Sequence, residues 1–130
     1  MQEKNRILIV DDEEDFSESL ARMFKRRDFD AVTADCCQMA LEKLKEGEFD
    51  VIIMDVSMPP GLDGIKCLAK VKEQWPTTEV IILTGHASVV SGIQGMQGGA
   101  FDYCLKPIDF SELLEKIILA CEKVQITRGR

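Results

Sequence analysis

The chain lacks three features that would place it in large functional classes. It has no apolar run approaching the roughly 18 residues of a membrane-spanning helix, and no signal-peptide pattern precedes its first strand-like segment. It also lacks an excess of positive charge, since 16 Lys and Arg residues face 23 Asp and Glu residues and the net charge is -7. We therefore expect a cytoplasmic protein whose domain binds neither a membrane nor nucleic acid directly.

Histidine is nearly absent, and the cysteines form no recognisable motif. There is one histidine, and the five cysteines are odd in number. Their spacing matches neither a CxxC motif nor a zinc site, and most lie on apolar faces of predicted elements: Cys36, Cys37, Cys67, Cys104 and Cys121. We expect reduced thiols in the core, with a redox or metal role as the alternative.

The apolar pattern predicts an α/β domain in which five strands alternate with five helices. The predicted strands are 7–10, 29–34, 51–55, 80–84 and 100–105. The first, third and fourth are short continuous apolar runs, typical of parallel strands buried on both faces. The second and fifth are weaker, which favours edge positions. These features predict a flavodoxin-like (βα)5 three-layer sandwich with a parallel sheet of order 2-1-3-4-5.

The last helix gives the clearest signal and sets the expected end of the domain. An apolar stripe runs from residue 110 to residue 121, and Asp109 and Glu112 have the spacing of a capping box at its start. We expect the domain to span residues 4–124. Residues 1–3 and 125–130 are then short tails, and the second tail is either a true end or the start of a linker.

Polar residues that can carry chemistry stand at the carboxyl ends of four predicted strands. In this fold, ligands bind at that edge, where the winding reverses between the first and third strands. Asp11 and Asp12 follow the first strand and Asp55 ends the third, whereas Thr84 and Lys106 end the fourth and fifth. We therefore expect three carboxylates, one hydroxyl and one amine at a single edge of the sheet.

Those groups together predict a site for a phosphoryl group. Carboxylates within about 4–6 Å of one another repel, and Mg²⁺ relieves the repulsion while leaving positions for water and phosphate oxygen. Lys106 offers a positive charge to phosphate, Thr84 offers a hydroxyl donor, and Asp55 becomes the candidate nucleophile. Taken singly, each residue has a simpler explanation as a helix cap or a surface charge. We keep that explanation for residues 13–15, which suit the first turn of a helix.

With these residues in place, the sequence resembles the receiver domain of bacterial response regulators in two-component signalling. The resemblance covers residues 4 to about 124. It is carried by five features in order: Ile9-Val10-Asp11-Asp12, Asp55 followed by Met58-Pro59, Thr84, Tyr103, and Lys106-Pro107. Residues 83–87 and 99–103 also resemble receivers that precede the ATPase modules of enhancer-binding transcription activators.

The resemblance implies a phosphorylation-activated signalling switch. Asp55 would accept a phosphoryl group from a phosphohistidine on a partner sensor histidine kinase. Asp11, Asp12, Asp55 and the backbone carbonyl of Ser57 would hold Mg²⁺, and Lys106 would pair with the phosphate. Such a domain assists its own phosphorylation and dephosphorylation and is not a turnover enzyme.

The resemblance also implies how the phosphorylated state is read. The peptide bond before Pro107 would be cis, a conformation that is energetically accessible essentially only before proline. Thr84 would move toward the phosphate and Tyr103 would turn inward behind it. The surface of the fourth helix, fifth strand and fifth helix would then change, and a partner or a second copy of the chain would dock there. His86 either tunes hydrolysis of the aspartyl phosphate or has no role.

Two stretches stand apart from the family pattern. The loop after Asp55 is one residue longer than usual, so Pro60 or Gly61 looks inserted. The predicted fourth helix contains Gly92 and Gly95, and each interior glycine costs about 1 kcal/mol relative to alanine. Those glycines indicate either close packing or a helix that is marginal by design and is reset by phosphorylation.

Four other functions fit the sequence less well. A haloacid dehalogenase-like phosphatase needs an Asp-x-Asp arrangement after the first strand, whereas Asp11 and Asp12 are adjacent. A flavin-binding module needs a Ser/Thr/Gly-rich phosphate loop there, and a histidine phosphotransfer domain is a helical bundle. A receiver-like interaction module that is not phosphorylated remains the alternative, although the complete set of acids, Thr84 and Lys106 argues against it.

Overall fold

The computed structural model describes residues 4–56, 64–85 and 94–129 and contains one parallel five-stranded sheet. Its strands are β1 (Arg6–Val10), β2 (Asp30–Ala34), β3 (Val51–Asp55), β4 (Glu79–Thr84) and β5 (Asp102–Leu105). They lie in the order β2-β1-β3-β4-β5, and every neighbouring pair is parallel. The predicted strand order and the two predicted edge strands are therefore confirmed.

The helices are α1 (Glu14–Lys25), α2 (Cys37–Glu46), α3 (Gly64–Gln74), a helical turn at 94–97 labelled α4, and α5 (Phe110–Thr127). The N-terminus of α5 is capped as expected, because the Asp109 side chain accepts hydrogen bonds from the backbone N–H groups of Ser111 and Glu112. The helix extends to Thr127, three residues beyond the expected domain end at 124. Among the described residues, no helix combines the length and the apolar character needed to cross a bilayer.

Alternate residues of each central strand pack against opposite helical layers. Ile7, Ile9 and Ile53 join a buried cluster with residues of α1 and α5. Leu8 and Ile52, each adjacent in sequence to one of these residues, join a second buried cluster with residues of α2 and α3. Because side chains alternate along a strand, a continuous apolar run can fill both clusters. This alternation accounts for the three layers. Because neighbouring strands are parallel, the carboxyl ends of the central strands lie at one edge of the sheet.

Gly95 in α4 lies directly against the sheet. A Cβ atom placed there would meet the Cδ1 atom of Ile82, and it would lie 3.4 Å from Ile82 Cγ1. A side chain at this position would displace the Ile82 side chain, so the glycine permits close approach of the helix to β4, which favours the packing explanation at this position. Gly92 and the longer loop around Pro60 lie outside the described residues.

The expectation that all five cysteines are reduced is wrong for two of them. Cys37 at the start of α2 and Cys67 in α3 form a disulfide, with their Cα atoms 5.8 Å apart. The other three cysteines are free, as expected: Cys36, Cys104 and Cys121. Cys37 and Cys67 are separated by 30 positions in the sequence, so their pairing depends on how α2 and α3 pack, and spacing alone could not predict it.

Arg128, just after α5, anchors that helix to the edge of the sheet opposite the predicted site. Its side chain is 10% exposed and pairs with Glu48 at 2.8 Å. The guanidinium group also donates to four oxygen atoms at the start of β3 and β4: Asp50 Oδ1 (2.9 Å), Phe49 O (2.9 Å), Thr78 Oγ1 (3.1 Å) and Thr77 Oγ1 (3.0 Å). The last turn of α5 is therefore fixed by side-chain contacts.

Replacing Arg128 by methionine is expected to lower the free energy of unfolding by about 2 kcal/mol, because the largely buried Asp50 loses the cation that faces it. Urea denaturation followed by circular dichroism measures this change. Arg26→Met is the matched control, since Arg26 is exposed at the end of α1 and its loss should cost less than about 0.5 kcal/mol. Equal effects of the two substitutions would contradict the anchoring role.

Candidate functional site

Two buried carboxylates stand where neighbouring strands β1 and β3 end. Asp11 follows β1, and its backbone N–H donates to Ala34 O at 3.0 Å across the neighbouring strand. Its Oδ1 accepts a hydrogen bond of 2.9 Å from the Glu13 backbone N–H, which holds the turn into α1. Asp55 is the last residue of β3 and lies opposite Leu83 of β4. Asp11 is 1% exposed and Asp55 is 2% exposed.

Asp12 completes a group of three carboxylates. Carboxylate oxygens of Asp11, Asp12 and Asp55 all lie within 4.8 Å of one another, and Asp12 is the exposed member. Oxygen donors of this kind suit a hard divalent cation, and Mg²⁺ usually takes one or two carboxylates and keeps water in its other positions. The carboxylates outnumber the nearby cations, so the donor set fits Mg²⁺ in both chemistry and charge.

Lys106 provides the positive charge between the two buried acids. It follows the end of β5, and its Nζ lies 2.9 Å from Asp11 Oδ2 and 3.2 Å from Asp55 Oδ2. The side chain is 15% exposed, and the Lys106–Pro107 peptide bond is cis. An amine held this close to both carboxylates offsets their repulsion in the absence of a metal ion.

The electrostatics of the site follow from burial and from this ion pair. Burial raises the pKa of Asp11 above its ordinary value of 3.8, and hydrogen bonds from the Glu13 backbone and Lys106 oppose only part of that shift. Burial alone would lower the pKa of Lys106. The hydrogen bond to Asp11 and the charges of Asp55 and Asp11 outweigh burial, so this pKa is raised and the amine stays protonated.

Two contacts of Lys106 were missed in the sequence. Its Nζ lies 3.2 Å from Glu13 Oε1, although Glu13 was assigned only to the first turn of a helix. The same Nζ lies 4.4 Å from the centre of the Phe16 ring, and Phe16 also packs against the buried cluster between the sheet, α1 and α5. Both residues are close to Asp11 in sequence, but only the position of Lys106 at the end of β5 reveals their contacts with the site.

The remaining predicted site residues lie elsewhere or outside the described part of the chain. The backbone of Thr84 ends β4 beside Leu105, and its side chain is outside the description. Tyr103 lies on the edge strand β5 and is 42% exposed, and its carbonyl accepts a hydrogen bond of 2.6 Å from Lys116 Nζ. Ser57 and His86 lie outside the described residues.

Substitution of Asp11 by asparagine is expected to weaken Mg²⁺ binding at least about tenfold, because an amide oxygen carries no charge for the ion. The raised pKa of Asp11 also fixes a pH dependence. As the pH falls, a proton displaces Mg²⁺ from Asp11 at a higher pH than it would from an ordinary aspartate. Calorimetric titration with Mg²⁺ at several pH values measures this dependence. The affinity for Mg²⁺ should fall more steeply toward acid pH in the unsubstituted protein than in the Asp11→Asn variant. Identical pH profiles would contradict this role of Asp11.

A family model described as the response regulator receiver domain matches residues 7–118. The chain belongs to this family. The match begins at the second residue of β1 and extends beyond β5, so it includes all three carboxylates and Lys106. The receiver domain is a signalling module of two-component systems, which agrees with the function that the resemblance implied.

Relatives and solved structures agree with this assignment. The receiver domain is 38% identical to the regulatory protein AtoC of Escherichia coli (strain K12) over 109 residues, 84% of this chain and 23% of AtoC. It is 34% identical to the transcriptional regulatory protein ZraR of the same organism over 115 residues, 86% of this chain and 26% of ZraR. The chain therefore spans about a quarter of the length of these relatives.

Two solved receiver structures superpose closely on this fold. One is the response regulator receiver domain protein of Clostridium thermocellum, with a TM-score of 0.88, 30% identity, and coverage of 95% of this chain and 98% of that chain. The other is the beryllofluoride-activated NtrC4 receiver domain dimer, with a TM-score of 0.85, 35% identity, and coverage of 92% of this chain and 98% of that chain. At these identities the likeness extends beyond the fold to the sequence.

Proposed function

We propose that this receiver domain accepts a phosphoryl group on Asp55 from a phosphohistidine of a partner sensor histidine kinase. The observation that carries the proposal is the position of Lys106 Nζ between the buried carboxylates of Asp55 and Asp11. A carboxylate oxygen of Asp55 attacks phosphorus, an O–P bond forms, and the P–N bond to the donor imidazole breaks with its electron pair left on nitrogen. The domain assists this transfer and the later hydrolysis without turning over an external substrate.

The neighbouring residues have complementary roles in this proposal. Asp11, Asp12 and Asp55 would hold Mg²⁺, together with the backbone carbonyl of Ser57. When bound, the ion supplies positive charge to the phosphoryl oxygens. Lys106 moves its ion pair from Asp55 to the phosphoryl group, since the phosphorylated carboxyl no longer carries the charge that held it.

We propose that Thr84 and Tyr103 report the phosphorylated state to the surface. The Thr84 hydroxyl is a donor for a phosphoryl oxygen, and Tyr103 exchanges its exposed position for one turned inward. His86, two residues after Thr84, sets how readily water reaches the aspartyl phosphate. Pro107 directly follows Lys106, and the peptide bond between them is cis.

The output surface in this proposal is formed by α4, β5 and α5. Large apolar side chains are exposed on β5 and α5, which suits a surface that binds a partner or a second receiver: Tyr103, Leu105, Ile118 and Leu119. The solved structure of the beryllofluoride-activated NtrC4 receiver domain is that of a dimer. We propose that phosphorylation promotes a homodimer through this surface and controls a transcriptional output in the cytoplasm, without direct nucleic-acid binding by the receiver.

Incubation with Mg²⁺ and acetyl phosphate tests the proposal without knowledge of the cognate kinase. Intact-protein mass spectrometry should show the gain of one phosphoryl group, and excess EDTA should prevent it. Gel filtration of the phosphorylated sample then tests dimerisation. A protein that binds Mg²⁺ and stays folded but gains no phosphoryl group would favour the interaction module that is not phosphorylated.

A further inference from the structure

We propose that Cys37 and Cys67 are a reversible redox site whose state is coupled to phosphorylation of Asp55. The coupling rests on the phosphoryl-accepting function proposed above. The two sulfur atoms form a disulfide between α2 and α3. Persistent disulfides are rare in the cytoplasm, and those that form there are usually transient and serve in catalysis or redox sensing.

The pair is separated from the other buried thiols by the sheet. Cys67 is 1% exposed and lies in the apolar cluster beneath α2 and α3, and Cys37 packs against that cluster. Cys104 and Cys121 belong to the cluster on the opposite face. Disulfide exchange within the protein is thus confined to the α2–α3 side.

An attacking thiol can reach the pair through Cys37. This residue is the first of α2, is half-buried, and directly follows the free, half-buried Cys36. Cys37 therefore has the access that thiol–disulfide exchange requires, whereas Cys67 does not.

The exchange balances with a small disulfide such as oxidised glutathione. One protein thiolate attacks that disulfide, forms a mixed disulfide and releases one glutathione thiol. The second protein thiol then attacks the mixed disulfide, forms the Cys37–Cys67 bond and releases the other thiol. Two protein thiols are oxidised and one glutathione disulfide is reduced to two thiols, and the reverse steps reduce the protein.

A direct chain of contacts joins Cys67 to the phosphoacceptor. Cys67 lies one turn after Gly64, the first residue of α3. A Cβ atom at Gly64 would lie 2.6 Å from Val56 Cα and 2.9 Å from the backbone carbonyl oxygen of Asp55. The first turn of α3 is therefore packed against the backbone of the phosphoacceptor. A covalent bond to α2 at Cys67 restrains that turn, and with it the position of Asp55.

The direction of the coupling follows from the restraint that the disulfide places on α3. The bond ties α3 to α2, so it opposes any movement of α3 on phosphorylation of Asp55. We expect the oxidised domain to bind beryllofluoride with Mg²⁺ at least about fivefold more weakly than the reduced domain, the lower end of measured allosteric couplings.

The same coupling must appear in the reverse direction. Because linkage is reciprocal, beryllofluoride with Mg²⁺ should shift the exchange equilibrium with glutathione toward the two thiols by the same factor. The experiment equilibrates the protein in glutathione buffers of graded composition, quenches in acid, alkylates under denaturing conditions and quantifies Cys37 and Cys67 by peptide mass spectrometry. A parallel titration measures beryllofluoride affinity in each redox state.

Two substitutions distinguish the effect of the Cys37–Cys67 disulfide from that of the neighbouring Cys36 thiol. Cys37→Ser removes the disulfide and replaces a half-buried thiol by a hydroxyl of similar size, and it should abolish the redox dependence. Cys36→Ser is the matched control and should retain it. Circular dichroism establishes that both variants fold.

Each remaining outcome bears on one of the two proposals. If Cys37 and Cys67 stay reduced in oxidised glutathione, the proposal that they form a redox site is wrong. A disulfide that forms but leaves beryllofluoride affinity unchanged would overturn the coupling. A protein that forms the disulfide but neither binds beryllofluoride nor gains a phosphoryl group in either redox state would overturn the proposed function, and the coupling with it.

Discussion

The substitution Asp55→Asn is expected to abolish phosphoryl incorporation from acetyl phosphate while leaving the domain folded. The asparagine amide has nearly the shape of the carboxylate but is not a nucleophile at neutral pH. The substitution removes the ion pair of Asp55 with Lys106. It also removes one of three neighbouring negative charges and leaves Lys106 paired with Asp11, so the domain stays folded. Intact-protein mass spectrometry at several incubation times measures the loss of the phosphorylated species.

Asp35→Asn is the matched control for this prediction. Asp35 directly follows β2 at the same edge of the sheet, and it is exposed and outside the carboxylate group. Its substitution should leave both the rate and the extent of phosphorylation unchanged. Full phosphorylation of the Asp55→Asn protein would show that another side chain is the phosphoacceptor.

Replacing Lys106 by methionine is expected to lower the free energy of unfolding in EDTA by about 3 kcal/mol, because two buried carboxylates lose the cation that pairs with them. Methionine keeps much of the aliphatic volume of lysine, so the loss of stability measures mainly the removal of the positive charge. Mg²⁺ should restore part of the stability, since it binds the same carboxylates and not the unfolded chain. Urea denaturation with EDTA or with Mg²⁺ measures both effects.

The exposed ion pair of Lys4 and Asp28 provides the control for Lys106. Its atoms are 4.0 Å apart and both side chains are largely exposed, so Lys4→Met should cost less than about 1 kcal/mol. It should also show no recovery with Mg²⁺ beyond that of the unsubstituted domain. An effect of Lys106→Met no larger than this control would show that the ion pair adds little to the fold.

Local sequence patterns were sufficient to predict the sheet and the three acids at its edge. A continuous apolar run marks a strand buried on both faces, and in a parallel sheet the ends of such strands meet at one edge. Asp11 and Asp55 could therefore be placed together although 44 positions separate them. Lys106 followed in the same way from the end of β5.

The features that were missed depend on contacts between distant side chains. Nothing in the sequence around Arg128 indicates that it faces Asp50 across the bottom of the sheet, because the contact depends on the length of α5. The Cys37–Cys67 disulfide likewise depends on how two helices pack. Patterns predict which face of an element is buried, but they do not specify which residue of another helix it meets.

Mapping the phosphorylated residue tests the central claim most directly. Borohydride reduction of an aspartyl phosphate converts that side chain to homoserine, which peptide mass spectrometry locates in the sequence. After incubation with acetyl phosphate and Mg²⁺, we predict homoserine at position 55 alone. Homoserine at position 11 or 12, or a phosphorylated protein with none, would contradict the assignment of Asp55 as the phosphoacceptor.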